Sequence, residues 1–177
     1  MYDLICGLLL QSGNDCAAAI AEHISGSQEA FAELMNTEAK QLGATGTHFV
    51  NPHGLHDENH YTTTYDLYLM FNEALKDQAF LDIISMNSYT AKVTSADGTS
   101  YTPTWQATNY YSAGEATPPD GIHVYGGKTG TTDQAGNCVI LYEKNTAGEP
   151  YISVIMGASD KPLLYEEMNE LLDAGMK

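Results

Sequence analysis

Arginine is absent from this chain, and only 7 lysines face 23 acidic side chains, leaving a formal net charge of -16 at pH 7. Such a balance repels phosphate backbones and anionic lipid surfaces, so no nucleic-acid partner is expected. Cysteine is scarce as well. Three of them (Cys6, Cys16, Cys138) are too few for a disulfide framework, and the apolar or alanine-rich neighbours of Cys6 and Cys16 predict buried free thiols. Long apolar runs are also missing, which leaves no candidate membrane segment. The one N-terminal apolar run, Leu4 to Leu10, lacks a basic flank and a small-residue cleavage site, so no signal peptide is expected in these residues. What is present is ordinary for a globular protein: 177 residues at 43% hydrophobic content predict one domain, spanning 1–177.

Apolar periodicity divides the chain into a helical part followed by a strand-rich part. Residues 2–10 read as an apolar helix ending at Gln11, and Ser12 to Asp15 as a turn in which Asn14 or Asp15 caps a helix over 16–24. From Gln28 to Leu42 the apolar residues Phe31, Leu34, Met35, Ala39 and Leu42 keep helical spacing, and Gly43 is placed to end that helix in the left-handed conformation. Residues 46–61 hold Asn51-Pro52 and Gly54 and no sustained period, which predicts a long ordered loop. A helix capped by Thr63 or Thr64 follows, with Leu67, Met70, Phe71, Ala74 and Leu75 on one face, then a short helix over 78–85. Asp97-Gly98 marks a hairpin within 89–104, and 105–119 reads as an ordered excursion. Strands over 122–132, 137–144 and 151–158, closed by a helix over 163–174, predict an antiparallel meander backed by a helix, hence an α+β fold.

Two places carry chemistry. Gly126-Gly127-Lys128-Thr129-Gly130-Thr131-Thr132 surrounds one lysine with glycines, which would let a ligand lie against the backbone, and with threonine hydroxyls, a strip suited to an anionic tail. The plainer reading of the same residues is a glycine-rich hairpin with an exposed lysine. The loop at 46–61 carries His48, His53, His56 and His60 beside Asp57 and Glu58, which raises zinc. Their spacing is not His-Glu-x-x-His, and no metal or other cofactor is assigned.

Ser12-Gly13-Asn14 after Leu8-Leu9-Leu10, together with Lys128-Thr129-Gly130, matches two of the three signature elements of penicillin-binding proteins and class A β-lactamases. The flanking stretches Thr47 to Leu55, Tyr61 to Leu67 and Gly127 to Gly136 extend the match. From about residue 2 to the end, the chain resembles the low-molecular-mass penicillin-binding proteins that act as serine D-Ala-D-Ala carboxypeptidases. It departs from them in one place: no Ser-x-x-Lys, the element of the nucleophile, occurs in these residues.

The resemblance implies a β-lactamase/penicillin-binding-protein-like fold, a helical cluster on an antiparallel sheet. The two N-terminal strands of the family's five-stranded sheet and the nucleophile helix are expected to be missing here. It implies cleavage of the terminal D-Ala of peptidoglycan stem peptides through a serine acyl-enzyme, β-lactams as substrate mimics, and a place in the cell envelope outside the cytoplasmic membrane. Ser12 would relay a proton to the leaving amine, and Asn14 would hold the substrate amide and orient the lysine of the nucleophile element. Lys128 would hold positive potential over the carboxylate, with Thr129 donating to it. Gly130 and Thr131 complete the binding strip, the Thr131 N–H serving as one oxyanion donor. Simple helix capping is the competing reading of Ser12 and Asn14. Without its nucleophile the chain alone is expected to be inactive. A non-catalytic peptidoglycan- or penicillin-binding module and a β-lactamase or esterase relative are the alternatives. The uncharged run 151–158 would be a bare sheet edge, open to self-association.

Overall fold

Strand β6 (Gly136–Asn145) sits at the centre of the molecule because its side chains are apolar on both faces. Val139 and Leu141 point one way and Ile140 and Tyr142 the other, the two-residue period of an extended chain buried on both sides. The computed structural model describes residues 1–95 and 97–175; the tip of the hairpin expected within 89–104 therefore lies partly outside the described residues. Antiparallel to β6 lie β5 (Ile122–Thr132) and β7 (Pro150–Ala158), in the order β5-β6-β7.

Helix α7 (Lys161–Gly175) covers one face of this sheet, packing Leu164, Met168 and Leu172 against Val139 and Leu141. The other face receives α4 (Thr64–Ala74) and α5 (Gln78–Ile84), whose Phe71 and Ile84 meet Ile140. Burying one such leucine or isoleucine contributes about 2 kcal/mol, so the two apolar stripes fix the layering. A second cluster, around Cys6, Leu10 and Ile83, ties α1 (Tyr2–Gln11) to α5 and to Trp105. Helices α2 (Asn14–Ser25) and α3 (Gln28–Gln41) complete the helical group. The chain is thus α+β, helices on an antiparallel sheet, as its sequence predicts.

Most local signals act as expected. Thr63 caps α4 by accepting from Asp66 N (3.1 Å), and Gly43 takes a φ of 84° just after α3. Cys6 and Cys16 are buried free thiols. Four readings change. The cap of α2 is Gly13, with Asn14 as the first helical residue, and the Asp15 carboxylate accepts from Cys16 N (2.9 Å) instead. The hairpin is split into two short ladders, β1 (Ser88–Thr90) with β4 (Thr104–Gln106) and β2 (Val93–Thr94) with β3 (Ser100–Tyr101). The excursion contains β4 and a short helix, α6 (Tyr110–Ala113), held where Tyr110 N donates to the Tyr165 hydroxyl (2.9 Å).

The fourth change concerns β7. It is an edge strand among the described residues, as expected, but not wholly unprotected: the register against β6 shifts between Asn137 and Val139, where Gly157 has a φ of 83°. This bulge twists the last residues away while leaving Tyr151 to Ile155 a plain edge.

Candidate functional site

The turn between α1 and α2 places two polar side chains at the mouth of a cleft. Ser12 ends α1 in the left-handed conformation (φ 57°), the only such non-glycine residue among those described. An L residue pays about 1 kcal/mol or more there. Gly13 N donates to Gly7 O (3.1 Å), closing the turn, and Gly7 itself leaves no room for a Cβ against Cys16 Sγ (2.8 Å). This tight pairing of α1 with α2 aims Ser12 and Asn14 the same way. Because Gly13 takes the cap position, the Asn14 amide is not spent on capping and has no hydrogen-bond partner among the described residues.

Strand β5 supplies the opposite wall. Lys128 lies across from Ile140 in the ladder and Thr129 across from Val139, so their side chains leave opposite faces of the strand. Lys128 Nζ donates to Ser12 Oγ and to Thr129 O (2.7 Å). Burial without a carboxylate partner lowers its pKa to about 8, which readies it for an anion that would restore the lost solvation. Thr129 Oγ1 lies 2.7 Å from Thr108 Oγ1, a hydroxyl pair that orients the threonine.

The resulting cleft, about 570 Å³, is lined by Ser12, Asn14, Lys128, Thr129, Gly130 and Thr131. All six residues singled out in the sequence are therefore brought together, across more than a hundred positions of chain. The glycines around Lys128 behave differently from expectation. An added Cβ would meet nothing within 4 Å at Gly130, but would fall 1.9 Å from Ile84 O at Gly126 and 2.0 Å from Ile140 O at Gly127. Only Gly130 opens the backbone to a ligand; Gly126 and Gly127 admit the protein's own chain.

The loop at 46–61 forms the remaining rim, and its polar groups are largely spent on holding itself. Asn36 donates to Phe49 O (2.8 Å) and accepts from Phe49 N (2.7 Å), and Thr47 Oγ1 donates to the buried Asp66 (2.7 Å). His60 Nδ1 accepts from Val50 N (3.2 Å), and burial keeps its imidazole neutral by lowering its pKa. His53 Nδ1 accepts from Leu55 N (3.2 Å), and His48 Nδ1 is 2.5 Å from Asn59 O. Among the described residues no three His, Cys, Asp or Glu side chains gather to hold a metal ion. Sequence reasoning missed Thr108 and Lys161, which also line the cleft. Neither carries a motif; only packing brings them there.

Comparison with known proteins finds a matching family and a matching fold. Residues 1–160 match the family model described as D-alanyl-D-alanine carboxypeptidase. The chain is similar to the D-alanyl-D-alanine carboxypeptidase DacF of Bacillus subtilis (31% identical over 171 residues, 97% of this chain and 41% of the relative). It is also similar to DacA of Haemophilus influenzae (33% identical, 98% of this chain and 41% of the relative). Among solved structures it resembles the Streptomyces K15 DD-transpeptidase, with a TM-score of 0.86 at 28% identity, covering 98% of this chain and 66% of that one. The chain thus spans about 41% of the length of these curated relatives.

Proposed function

The chain belongs to the D-alanyl-D-alanine carboxypeptidase family, and on that premise we propose that its cleft takes the D-Ala-D-Ala end of a peptidoglycan stem peptide, or a β-lactam imitating it, in the cell envelope. The observation that carries this reading is the meeting of Ser12, Asn14, Lys128 and Thr129 in one cleft, with the lysine donating to the serine. Strand β5 is an edge among the described residues, so an extended peptide can lie along it. Its terminal carboxylate sits against Lys128 and the Thr129 hydroxyl, and its scissile carbonyl faces the Thr131 N–H, one oxyanion donor. Ser12 passes a proton to the leaving amine while Asn14 holds the substrate amide. Gly130, open on its cleft side, lets the backbones approach. Among the described residues no helix is long and apolar enough to cross a membrane.

The acylation step needs an activated hydroxyl, and none of the serines in this sequence has a lysine three positions on. The 177-residue chain alone is therefore expected to bind a β-lactam without forming an acyl adduct. Intact-mass spectrometry after incubation with a penicillin checks this; a stable mass increase mapped to any serine here would show an overlooked nucleophile.

The same proposal includes an association surface. Tyr151 to Ile155 carries no charge and pairs with β6 alone among the described residues. Strand addition between copies would satisfy its free N–H and C=O groups. Sedimentation velocity is expected to show a concentration-dependent shift to larger species, with slowed amide exchange from Ile152 to Ile155. A chain that stays monomeric at every concentration, with fast exchange there, rules this out.

A further inference from the structure

Residues 105–109 form a strap that ties the two walls of the cleft to each other. Its ends are fixed in the protein. Trp105 packs against α1, where a Cβ added to Gly7 would lie 3.1 Å from the indole ring, and the buried Asn109 accepts from Tyr111 N (3.1 Å) to start α6. Between them, Ala107 N donates to Asn87 O (2.9 Å). Thr108 is therefore held on both sides.

On the α1 wall, Gln106 N donates to Gln11 Oε1 (3.2 Å) and Thr108 N donates to Leu10 O (3.2 Å), a carbonyl that the end of a helix leaves without an intrahelical donor. Ser12 follows directly along the chain. On the β5 wall, the Thr108 hydroxyl has Thr129 Oγ1, at 2.7 Å, as its one hydrogen-bond partner among the described residues. Lys128 closes the circuit by donating to Ser12 Oγ and Thr129 O, so contacts run from Ser12 through Lys128, Thr129 and Thr108 to Leu10 and back to Ser12. Thr108 bonds one wall with its main chain and the other with its side chain.

The hydroxyl pair also has a direction. Each hydroxyl has one proton to give, and if Thr129 gave its proton to Thr108 it would have none for a ligand. With Thr108 as the donor, the Thr129 proton stays free for the cleft, and the bond that Thr129 accepts polarises it into a stronger donor. We infer that Thr108 is a positioning residue: it fixes the spacing of the walls and commits the Thr129 proton to an anionic ligand. This rests on the reading of the cleft given above.

The test is chemical-shift titration of the 177-residue chain with benzylpenicillin, an anion, and with its uncharged methyl ester. Thr108→Val removes the hydroxyl and keeps the N–H on Leu10. It is expected to weaken benzylpenicillin by about fivefold, the worth of one hydrogen bond, and the ester by only about twofold, since a bond to an uncharged acceptor is about half as strong. Thr108→Ser should restore the wild-type affinity. Thr129→Val should weaken benzylpenicillin at least as much as Thr108→Val, and adding Thr108→Val to it should change nothing further, because Thr108 acts through Thr129. Equal weakening of the two probes by Thr108→Val would mark a merely structural role, and a further loss in the Thr129→Val background would mark a direct ligand contact. Either result overturns the inference, as does wild-type affinity in Thr108→Val or a serine variant no better than the valine one. The cleft reading survives those results as long as Lys128→Gln and Thr129→Val weaken benzylpenicillin. Binding that ignores both substitutions, or no binding at all, overturns that reading as well.

Discussion

Gly126→Ala is expected to unfold the protein or cost it more than about 3 kcal/mol, although the substitution adds one methyl group. The strand bulges between Val124 and Gly126, and Gly126 adopts a φ of 155° with its Cα facing the end of α5. A Cβ there would sit 1.9 Å from Ile84 O and 2.6 Å from Ile84 C, both backbone atoms that cannot swing aside. Relief would require α5 to lift from β5, uncovering Ile84 and Ile140 in the core. With domain stabilities of about 5–15 kcal/mol, that is a large share of the total. Gly130→Ala is the control: its Cβ meets nothing within 4 Å, so stability should change little. Urea unfolding followed by circular dichroism compares them. A Gly126→Ala midpoint close to the wild-type value would show that the helix can shift freely, and would remove the physical basis given for this glycine.

Glu143 should make the protein less stable as pH rises from acid to neutral. It projects from β6 into the α7-side core with 0% exposure. Ser153 Oγ donates to one carboxylate oxygen (2.6 Å), and the other has no hydrogen-bond partner. Burial raises its pKa from 4.5 to about 7, the serine bond only partly opposing the shift. Nearby, the Tyr111 hydroxyl donates to Asn169 Oδ1 (2.8 Å), and its own pKa is raised by burial, with further contributions from Tyr165 and Glu143. The folded state therefore holds a proton that the unfolded chain releases at lower pH. That stabilisation is complete below pH 4.5, shrinks as pH climbs, and is gone above about 7, a span on the order of 3 kcal/mol. Glu143→Gln keeps an acceptor for Ser153 and cannot ionise. It should gain on the wild type by that amount at pH 8, and its stability profile should lose the step between pH 4.5 and 7. Parallel urea-denaturation profiles for the two proteins across that range would contradict the assignment.

Local chemistry decided what could be read without coordinates. Thr63 and Gly43 act within one helical turn, so the end of α3 and the start of α4 follow from neighbouring residues alone. The β-prone apolar runs within 122–158, separated by turn residues, likewise marked three strands, because a strand buried between helices is apolar on both faces. Ser12-Gly13-Asn14 and Lys128-Thr129-Gly130 were legible as motifs for the same reason: each is contiguous. Their meeting was not readable from spacing, since it depends on α1 packing on α5 and α5 on β5. The roles of the glycines beside Lys128 were misread because a close approach looks the same in sequence whether the approaching backbone is a ligand or α5. Thr108, Lys161 and Glu143 had no local signature at all. A threonine in an irregular stretch, a lysine opening a helix and a glutamate in a strand acquire meaning only from the hydroxyl, ring and apolar layer that the tertiary structure brings against them. The sequence by itself determined the elements and the two motifs, because those are set by contacts a few residues apart. Only the tertiary structure decided which groups share the cleft and which charge is buried, because solvation depends on neighbours distant along the chain.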